Sequence, residues 1–262
     1  MRIATWNVNS IRARIDRVLA LLERHDLDVL AVQETKCRDD QFPYVAFEGT
    51  GYAVAHAGLN QWNGVAILSR VGLDDIQVGF EGMPGWGDPV AAETRAISAL
   101  CGGVRVWSLY VPNGRGLGDP HMDYKLDWLE RLRQAGAGWL VQADPQAQIA
   151  LMGDWNIAPQ DEDVWSMAYY EDKSHVSPPE RAAFAGVLDA GYVDMVRPHV
   201  PAGAFTYWDY TQLRFPKKQG MRIDFALGSP ALAQNITGAS IDRGERKGKG
   251  ASDHAPVIID LA

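Results

Sequence analysis

The stretch Ile149-Ala150-Leu151-Met152-Gly153-Asp154-Trp155-Asn156 is an apolar run that ends abruptly in polar residues. A short apolar run followed by turn formers predicts a buried β-strand. Asp154 and Asn156 lie two residues apart, so in extended backbone their side chains point to the same side. Gly, Asp and Asn are common in turns, but buried polar groups cost free energy unless they are paired. The segment alone permits two interpretations, an ordinary turn or part of an active site.

Strand-like and helical segments alternate along the rest of the chain. Apolar runs predict further strands at residues 2–6, 29–32, 64–69, 96–100, 104–110, 222–227 and 256–261. Helices are expected to begin after Ser10, at Asp119-Pro120 and at the capping box that starts with Ser177. An excess of strands over helices, with hairpins as well as crossovers, favours an α/β fold of two mixed sheets packed face to face with helices outside. Because we find no repeat or linker, we expect one domain over residues 1–262.

The composition describes an ordinary globular protein, with 47% hydrophobic and 22% charged residues. No apolar segment has the length of a membrane span, the N-terminus lacks a signal-peptide pattern, and Cys37 and Cys101 are the only cysteines. We therefore expect a cytoplasmic protein without a membrane partner. The net charge of −8 argues weakly against nucleic acid. Basic residues nevertheless cluster at 214–222 and 243–249, either as solvated loops or as segments flanking a phosphodiester site.

Polar side chains recur at the ends of the predicted strands. The set comprises Asn7 and Asn9, Gln33 and Glu34, Tyr110 and Asn113, Asp154 and Asn156, Asp224, and Asp253 and His254. Six such endings indicate a site that converges at one edge of packed sheets. Carboxylates and amides without thiolates suit a hard cation such as Mg²⁺ or Mn²⁺, and a single histidine argues against a His-rich zinc site. Neither a P-loop nor a Gly-x-Ser-x-Gly motif occurs. The remaining chemistry is metal-assisted hydrolysis with a general base, which suits phosphate esters.

The order of these motifs resembles that of the endonuclease/exonuclease/phosphatase superfamily, and within it most closely the exonuclease III type of apurinic/apyrimidinic (AP) endonuclease of bacteria. The matching segments are 5–9 (TWNVN), 33–36 (QETK), 110–113 (YVPN), 153–156 (GDWN), 222–224 (RID) and 252–254 (SDH). The resemblance extends from Met1 to the C-terminus. It implies a DNase I-like four-layer α/β sandwich, in which two packed mixed β-sheets are flanked by helices.

The resemblance also implies a metal site and a catalytic set. Glu34 would bind Mg²⁺, with Mn²⁺ possible, supported by Asn7 and Asp253. Asp154 and Asn156, which are also candidate metal ligands, would activate or hold the attacking water.

In the same resemblance His254 would touch a phosphate oxygen and Asp224 would orient its imidazole. Tyr110 would stabilise charge on the phosphate or on the leaving oxygen. In-line attack at phosphorus builds negative charge on these oxygens, so a cation and fixed donors are what the transition state needs.

Contacts with DNA are implied on the substrate side. Asn113, Arg115 and Lys125 could bind phosphates, although Lys125 could equally be a solvated helix residue. Tyr207 and Trp208 resemble an aromatic segment that packs against an abasic sugar, with packing in the core as the alternative.

Two positions depart from animal relatives, which carry tryptophan at the position of Met221 near the pocket and aspartate at the position of Asn9. These departures bear on the balance between AP-site incision and 3′→5′ exonuclease digestion.

The function implied is a Mg²⁺-dependent DNA-repair phosphodiesterase. It would incise double-stranded DNA 5′ to abasic sites and remove nucleotides or blocking groups, including 3′-phosphates, from 3′ ends, acting as a monomer. One alternative is an inositol phosphate or sphingomyelin phosphodiesterase, against which the segments 110–113 and 207–208 argue. The other is a catalytically silent nucleic-acid-binding module, which predicts the loss of Glu34, Asp154, Asp253 or His254; all four are present.

Overall fold

Two six-stranded β-sheets form the centre of the computed structural model, which describes residues 1–262. The strands are β1 (Arg2–Asn7), β2 (Val29–Gln33), β3 (Ala53–Ala57), β4 (Val65–Ser69), β5 (Asp74–Val78), β6 (Ala96–Cys101), β7 (Val104–Tyr110), β8 (Gln148–Asp154), β9 (Val193–Asp194), β10 (Asp224–Gly228), β11 (Ile236–Ile241) and β12 (Val257–Leu261). The helices are α1 (Ile11–Arg24), α2 (Pro120–Gln142), α3 (Met167–Tyr170), α4 (Pro178–Asp189) and α5 (Pro230–Ala233).

Each sheet is mixed, as the sequence predicts. The first has the order β11-β12-β1-β2-β4-β3 and the second β5-β6-β7-β8-β10-β9. In each sheet one central pair is parallel, β1 with β2 and β7 with β8, and every other pair is antiparallel. In each sheet the polar residues that follow the two parallel strands therefore lie at the carboxyl end of this central pair.

Three apolar clusters build four layers. Between the sheets lie side chains from the inner faces, among them Ile67, Val106 and Met152. Helix α1 packs on the outer face of the first sheet through residues such as Leu21. Helices α2 and α4 cover the outer face of the second sheet, where Phe184 is buried. The four-layer sandwich is thus confirmed, and its driving force is the burial of apolar surface on both faces of each sheet.

The predicted elements all form, with small shifts at their ends. Strands β3, β5, β9 and β11 were not predicted, because they are partly or wholly exposed and lack a continuous apolar run. Asp119 caps α2 by accepting a hydrogen bond from the backbone N–H of His121 at 2.8 Å. Ser177 forms the expected capping box with Glu180.

The start of α1 differs from the prediction, because Ser10 makes no side-chain cap. The backbone N–H of Ser10 instead donates to the carbonyl of Glu34 at 2.7 Å, and that of Ile11 donates to Thr35 at 3.1 Å. The helix is therefore anchored to the loop after β2 rather than to its own cap. No helix combines the length and the apolar character that crossing a membrane requires.

Candidate active site

The site lies at the edge where the central strands of both sheets end. In the second sheet the strand register sets Asp154 opposite Tyr110 on one side and opposite Asp224 on the other. In the first sheet Asn7 is paired with Gln33, and Glu34 follows directly. The strand register of the second sheet thus brings together Tyr110, Asp154 and Asp224, which are far apart in sequence.

At the site, the side-chain amide of Asn7 links the two sheets. Asn7 is buried, and its Nδ2 donates to Glu34 Oε1 at 2.8 Å and to Asp154 Oδ2 at 2.9 Å. The carbonyl of Asn7 accepts a bond from Ser252 Oγ at 2.7 Å, which ties the C-terminal motif to the same point. The structure therefore places both carboxylates at one position with a shared donor between them.

A cation could be held at this point. Ligand atoms of Glu34, Asp154 and His254 lie within 4.8 Å of one another. The carboxylate oxygens fit a hard divalent ion such as Mg²⁺, whereas a protonated imidazole does not. The ammonium of Lys36 lies 2.6 Å from Glu34 Oε2, so Glu34 forms an ion pair with a cationic side chain. The residues that would hold an ion are Glu34 and Asp154.

The two carboxylates have opposite pKa shifts. Burial favours the neutral acid and raises the pKa of Glu34, but the neighbouring Lys36 and the bond from Asn7 outweigh burial, so the net pKa is lowered. For Asp154, burial raises the pKa to about 7; the nearby His254 opposes this shift, and the charges of Asp224 and Glu34 add to it. Glu34 is thus a stable anion, while Asp154 has a pKa suited to accepting a proton near neutral pH.

His254 is held by a carboxylate on its other side. Its Nδ1 lies 2.8 Å from Asp224 Oδ2, and its Nε2 lies 3.8 Å from Asp154 Oδ2. Burial by itself would lower the pKa of the imidazole, but Asp224 and Asp154 together raise that pKa to about 10. The group is therefore an imidazolium at neutral pH, with Nε2 directed toward the carboxylate cluster.

Tyr110 supplies a neutral phenol at the end of β7. Burial and the charge of Glu34 raise the pKa of Tyr110 well above its ordinary value. The guanidinium of Arg95 lies over the ring, 4.8 Å from its centroid, and fixes the ring plane. A phenol that stays protonated can donate a hydrogen bond to an anionic oxygen.

Asn156 stands beside Asp154 in a strained backbone conformation. Its φ is 51°, in the left-handed region that non-glycine residues rarely adopt. Its backbone N–H donates to Asp154 Oδ1 at 2.9 Å, and its Nδ2 donates to the carbonyl of Val111 at 3.0 Å. Its Oδ1 accepts from Asn113 Nδ2 at 3.2 Å and lies 3.3 Å from His175 Nε2. Asp154 and Asn156 therefore form a side-chain-to-backbone (Asx) turn at the end of β8, next to the carboxylate cluster.

Asp253 lies beside Glu34, Asp154 and His254 but is not one of the residues whose ligand atoms lie within 4.8 Å of one another. Its Oδ1 accepts a bond from Asn9 Nδ2 at 3.1 Å, and Asn9 Oδ1 in turn accepts one from Lys36. The side chain is partly exposed and remains accessible to an ion or to its water ligands.

A cleft of about 600 Å³ opens next to the catalytic residues. Its lining includes Arg115, His175, Tyr207 and Met221. Arg115 is exposed, and the Tyr207 ring lies 4.9 Å from the imidazole of His254. Although Met221 is 3% exposed, it still forms part of the wall. The cleft therefore has cationic, imidazole and aromatic side chains in its lining and lies beside the His254 imidazole.

Two of the predicted DNA contacts need correction. Lys125 is fully buried, where it pairs with Glu180 and donates to the carbonyl of Asn156, so it cannot reach a phosphate. Trp208 is 1% exposed and packs against Phe215, so its side chain belongs to the interior. The alternative of a solvated helix residue is also wrong for Lys125, whereas the alternative of packing in the core holds for Trp208.

Two residues at the site were not assigned by the sequence analysis. Lys36 contacts Glu34, and its position in the motif at residues 33–36 was the available signal. His175 lies in a loop without any sequence pattern, yet its imidazole contacts Asn113 and Asn156. Burial and the charge of Lys125 lower the pKa of His175 to about 4, so the ring is neutral.

Two packed mixed sheets with carboxylates and a histidine at the ends of their central strands are typical of a class of enzymes that cleave phosphate esters. The model of the Endonuclease/Exonuclease/phosphatase family matches residues 4–254. The chain belongs to this family.

Relatives of known name support the assignment. The chain is 31% identical to an exodeoxyribonuclease of Bacillus subtilis, with 99% of this chain and 98% of that protein covered. It is 30% identical to exodeoxyribonuclease III of Haemophilus influenzae over the full length of both. Among solved structures, a Neisseria 3′ phosphatase bound to a product DNA hairpin superimposes with a TM-score of 0.94 at 35% identity, covering 100% of this chain and 99% of that one. An AP endonuclease of Archaeoglobus fulgidus gives 0.90 at 32% identity, with the same coverage.

Proposed function

We propose that this protein is a Mg²⁺-dependent enzyme that removes nucleotides or blocking groups, including 3′-phosphates, from DNA 3′ ends and incises double-stranded DNA 5′ to abasic sites. That it is a DNA-repair phosphodiesterase follows from the family and from relatives named exodeoxyribonuclease III. The finer activities rest on the names of the similar structures, a 3′ phosphatase and an AP endonuclease.

The observation that carries the proposal is the pair of carboxylates joined by Asn7. Glu34 stays anionic, while Asp154 has a pKa of about 7 and lies 3.8 Å from an imidazolium. This arrangement combines an anionic ligand, a proton acceptor and a fixed cationic donor within one hydrogen-bonded group. Hydrolysis of a phosphodiester requires these three functions.

In the proposed reaction Asp154 accepts a proton from the attacking water, which the Asn156 amide helps to hold. The imidazolium of His254 donates to a phosphate oxygen, and Asp224 keeps the ring oriented and charged. Tyr110 donates to the phosphate or to the leaving oxygen. Glu34 and Asp154 would hold a divalent cation, with Asn7, Asp253 and Asn156 in supporting positions, and the bound cation would supply positive charge for the developing anion.

On the substrate side Asn113 and Arg115 are proposed to contact phosphates of the DNA backbone. Tyr207 and Met221 are proposed to form the wall against which the deoxyribose packs. A flat wall of this kind admits a sugar without a base by its shape. We further propose that the enzyme acts as a monomer, because one chain supplies every group in the site.

The test uses three labelled duplexes, which carry a tetrahydrofuran abasic analogue, a 3′-phosphate and a recessed 3′-hydroxyl. We expect the purified protein to cleave them with Mg²⁺, and EDTA to abolish the cleavage. The protein with Asp154→Asn, purified in the same way, controls for contaminating nucleases. Failure on all three duplexes, with hydrolysis of an inositol phosphate or of sphingomyelin, would refute the proposal; cleavage of only some duplexes would restrict it to those activities.

A further inference from the structure

A buried ion pair lies directly behind the catalytic residues and has no part in the reaction described above. Lys125 on α2 and Glu180 on α4 have fully buried side chains, and the ammonium contacts the carboxylate. Desolvation of two charges offsets much of their attraction, so a buried pair is weak evidence for a contribution to stability. Its contacts with other groups are therefore more informative than its strength.

Each partner holds the backbone of a different loop. Lys125 Nζ donates to the carbonyl of Asn156 at 2.6 Å. The Glu180 carboxylate accepts from the backbone N–H of His175 at 2.9 Å and from Ser177 Oγ at 2.6 Å. Asn156 and His175 have φ values of 51° and 83°, both in the left-handed region. Such conformations persist only where the surroundings fix them.

The two loops meet again at the Asn156 side chain. His175 Nε2 lies 3.3 Å from Asn156 Oδ1, which also accepts a bond from Asn113. On its other side the backbone N–H of Asn156 donates to Asp154 Oδ1. The ion pair is thus connected to the proton acceptor through one residue, and a shift of the 153–156 segment would move Asp154 and Asn156 together.

We propose that Lys125 and Glu180 are positioning residues for phosphodiester cleavage. The pair fixes the strained backbone at Asn156 and His175, and so sets the direction of the Asn156 amide and of the Asp154 carboxylate. The inference rests on the proposed function, in which these two groups hold and activate the water. Because displacement of a reacting group by about 1 Å can cost about 100-fold in rate, a fixed backbone at this point has a direct catalytic consequence.

The test compares Lys125→Met with the double variant Lys125→Met/Glu180→Gln. The single variant leaves a buried carboxylate unpaired, whereas the double variant removes both charges and keeps an acceptor for His175. We expect the double variant to recover the Tm lost in the single one, as neutral replacements of buried pairs often do. We expect kcat to stay reduced by roughly 10- to 100-fold in both, with KM changed by less than about threefold, since the bond to Asn156 is absent from both.

Both kcat and KM are measured on bis(p-nitrophenyl) phosphate and on the 3′-phosphate duplex. Tyr192→Phe is the matched control, because it removes a different buried donor to α2, the bond from Tyr192 Oη to the Gly136 carbonyl. Its kcat should equal that of the wild type. A double variant with wild-type kcat would show that the pair is only structural and would overturn this inference alone. Absence of wild-type cleavage of these two substrates and of the abasic and recessed 3′-hydroxyl duplexes would overturn the proposed function, and this inference with it.

Discussion

Glu34 and Asp154 share the Nδ2 of Asn7, yet their surroundings differ in one decisive respect. Glu34, from the first sheet, has an ammonium 2.6 Å away, and its pKa is lowered. For Asp154, from the second sheet, burial raises the pKa to about 7; the imidazolium of His254, 3.8 Å away, opposes this shift, and the charges of Asp224 and Glu34 add to it. Two carboxylates at one point can therefore serve as anionic ligand and as proton acceptor, because their environments separate their pKa values.

The strongest test of this difference is Asp154→Asn. The asparagine side chain keeps the shape of aspartate and can still accept a hydrogen bond from Asn7 through its amide oxygen. The proton acceptor, however, is lost. We expect kcat on the 3′-phosphate duplex to fall by about 10³-fold, within the range of general-base contributions. The Tm should be unchanged or higher, since a buried charge is removed. A kcat within tenfold of the wild type would show that another group accepts the proton.

Glu34→Gln should give a different response. Loss of an anionic ligand weakens metal binding, so we expect the Mg²⁺ concentration at half-maximal activity to rise by roughly 10- to 100-fold, by analogy with the effect of altered metal surroundings. Excess Mg²⁺ should restore much of the activity, which it should not do for Asp154→Asn. A Mg²⁺ titration of both variants distinguishes the two roles. An unchanged Mg²⁺ requirement in Glu34→Gln would remove Glu34 from the metal site.

The smallest effect is expected for Asp224→Asn, which alters the charge next to His254. Removing the anion destabilises the imidazolium, so the pKa of His254 in the metal-free protein should fall from about 10. NMR titration of the ring under EDTA measures this fall, and kcat should drop by about tenfold because the ring loses its orientation. In the wild type the raised pKa stabilises the folded protein below pH 6.5, and this contribution is lost as the pH rises through about 10. The variant should lose this stabilisation at a lower pH than the wild type. An unchanged pKa of His254 would show that Asp224 is not the cause of the raised value.

Much of the fold and of the candidate site could be predicted from local patterns. Apolar runs marked the central strands, and polar residues at their ends marked the site. Exposed edge strands such as β5 were missed because they bury no face and so carry no apolar period. His175 was missed because its contact with Asn156 depends on the path of a loop that Glu180 fixes through the His175 backbone N–H, and no local pattern predicts that path.

The sequence by itself determined which chemical groups are available: carboxylates, amides, one imidazole and one phenol at strand ends, without thiolates. It also determined the central strands and the longer helices, because the apolar periodicity that predicts them is local. Only the tertiary structure decided that Asn7 joins Glu34 to Asp154, that Lys36 contacts Glu34 while Lys125 is buried behind the site, and that Asp154 has a raised pKa. These features depend on burial and on distances between residues remote in sequence, because electrostatic interactions change steeply with both.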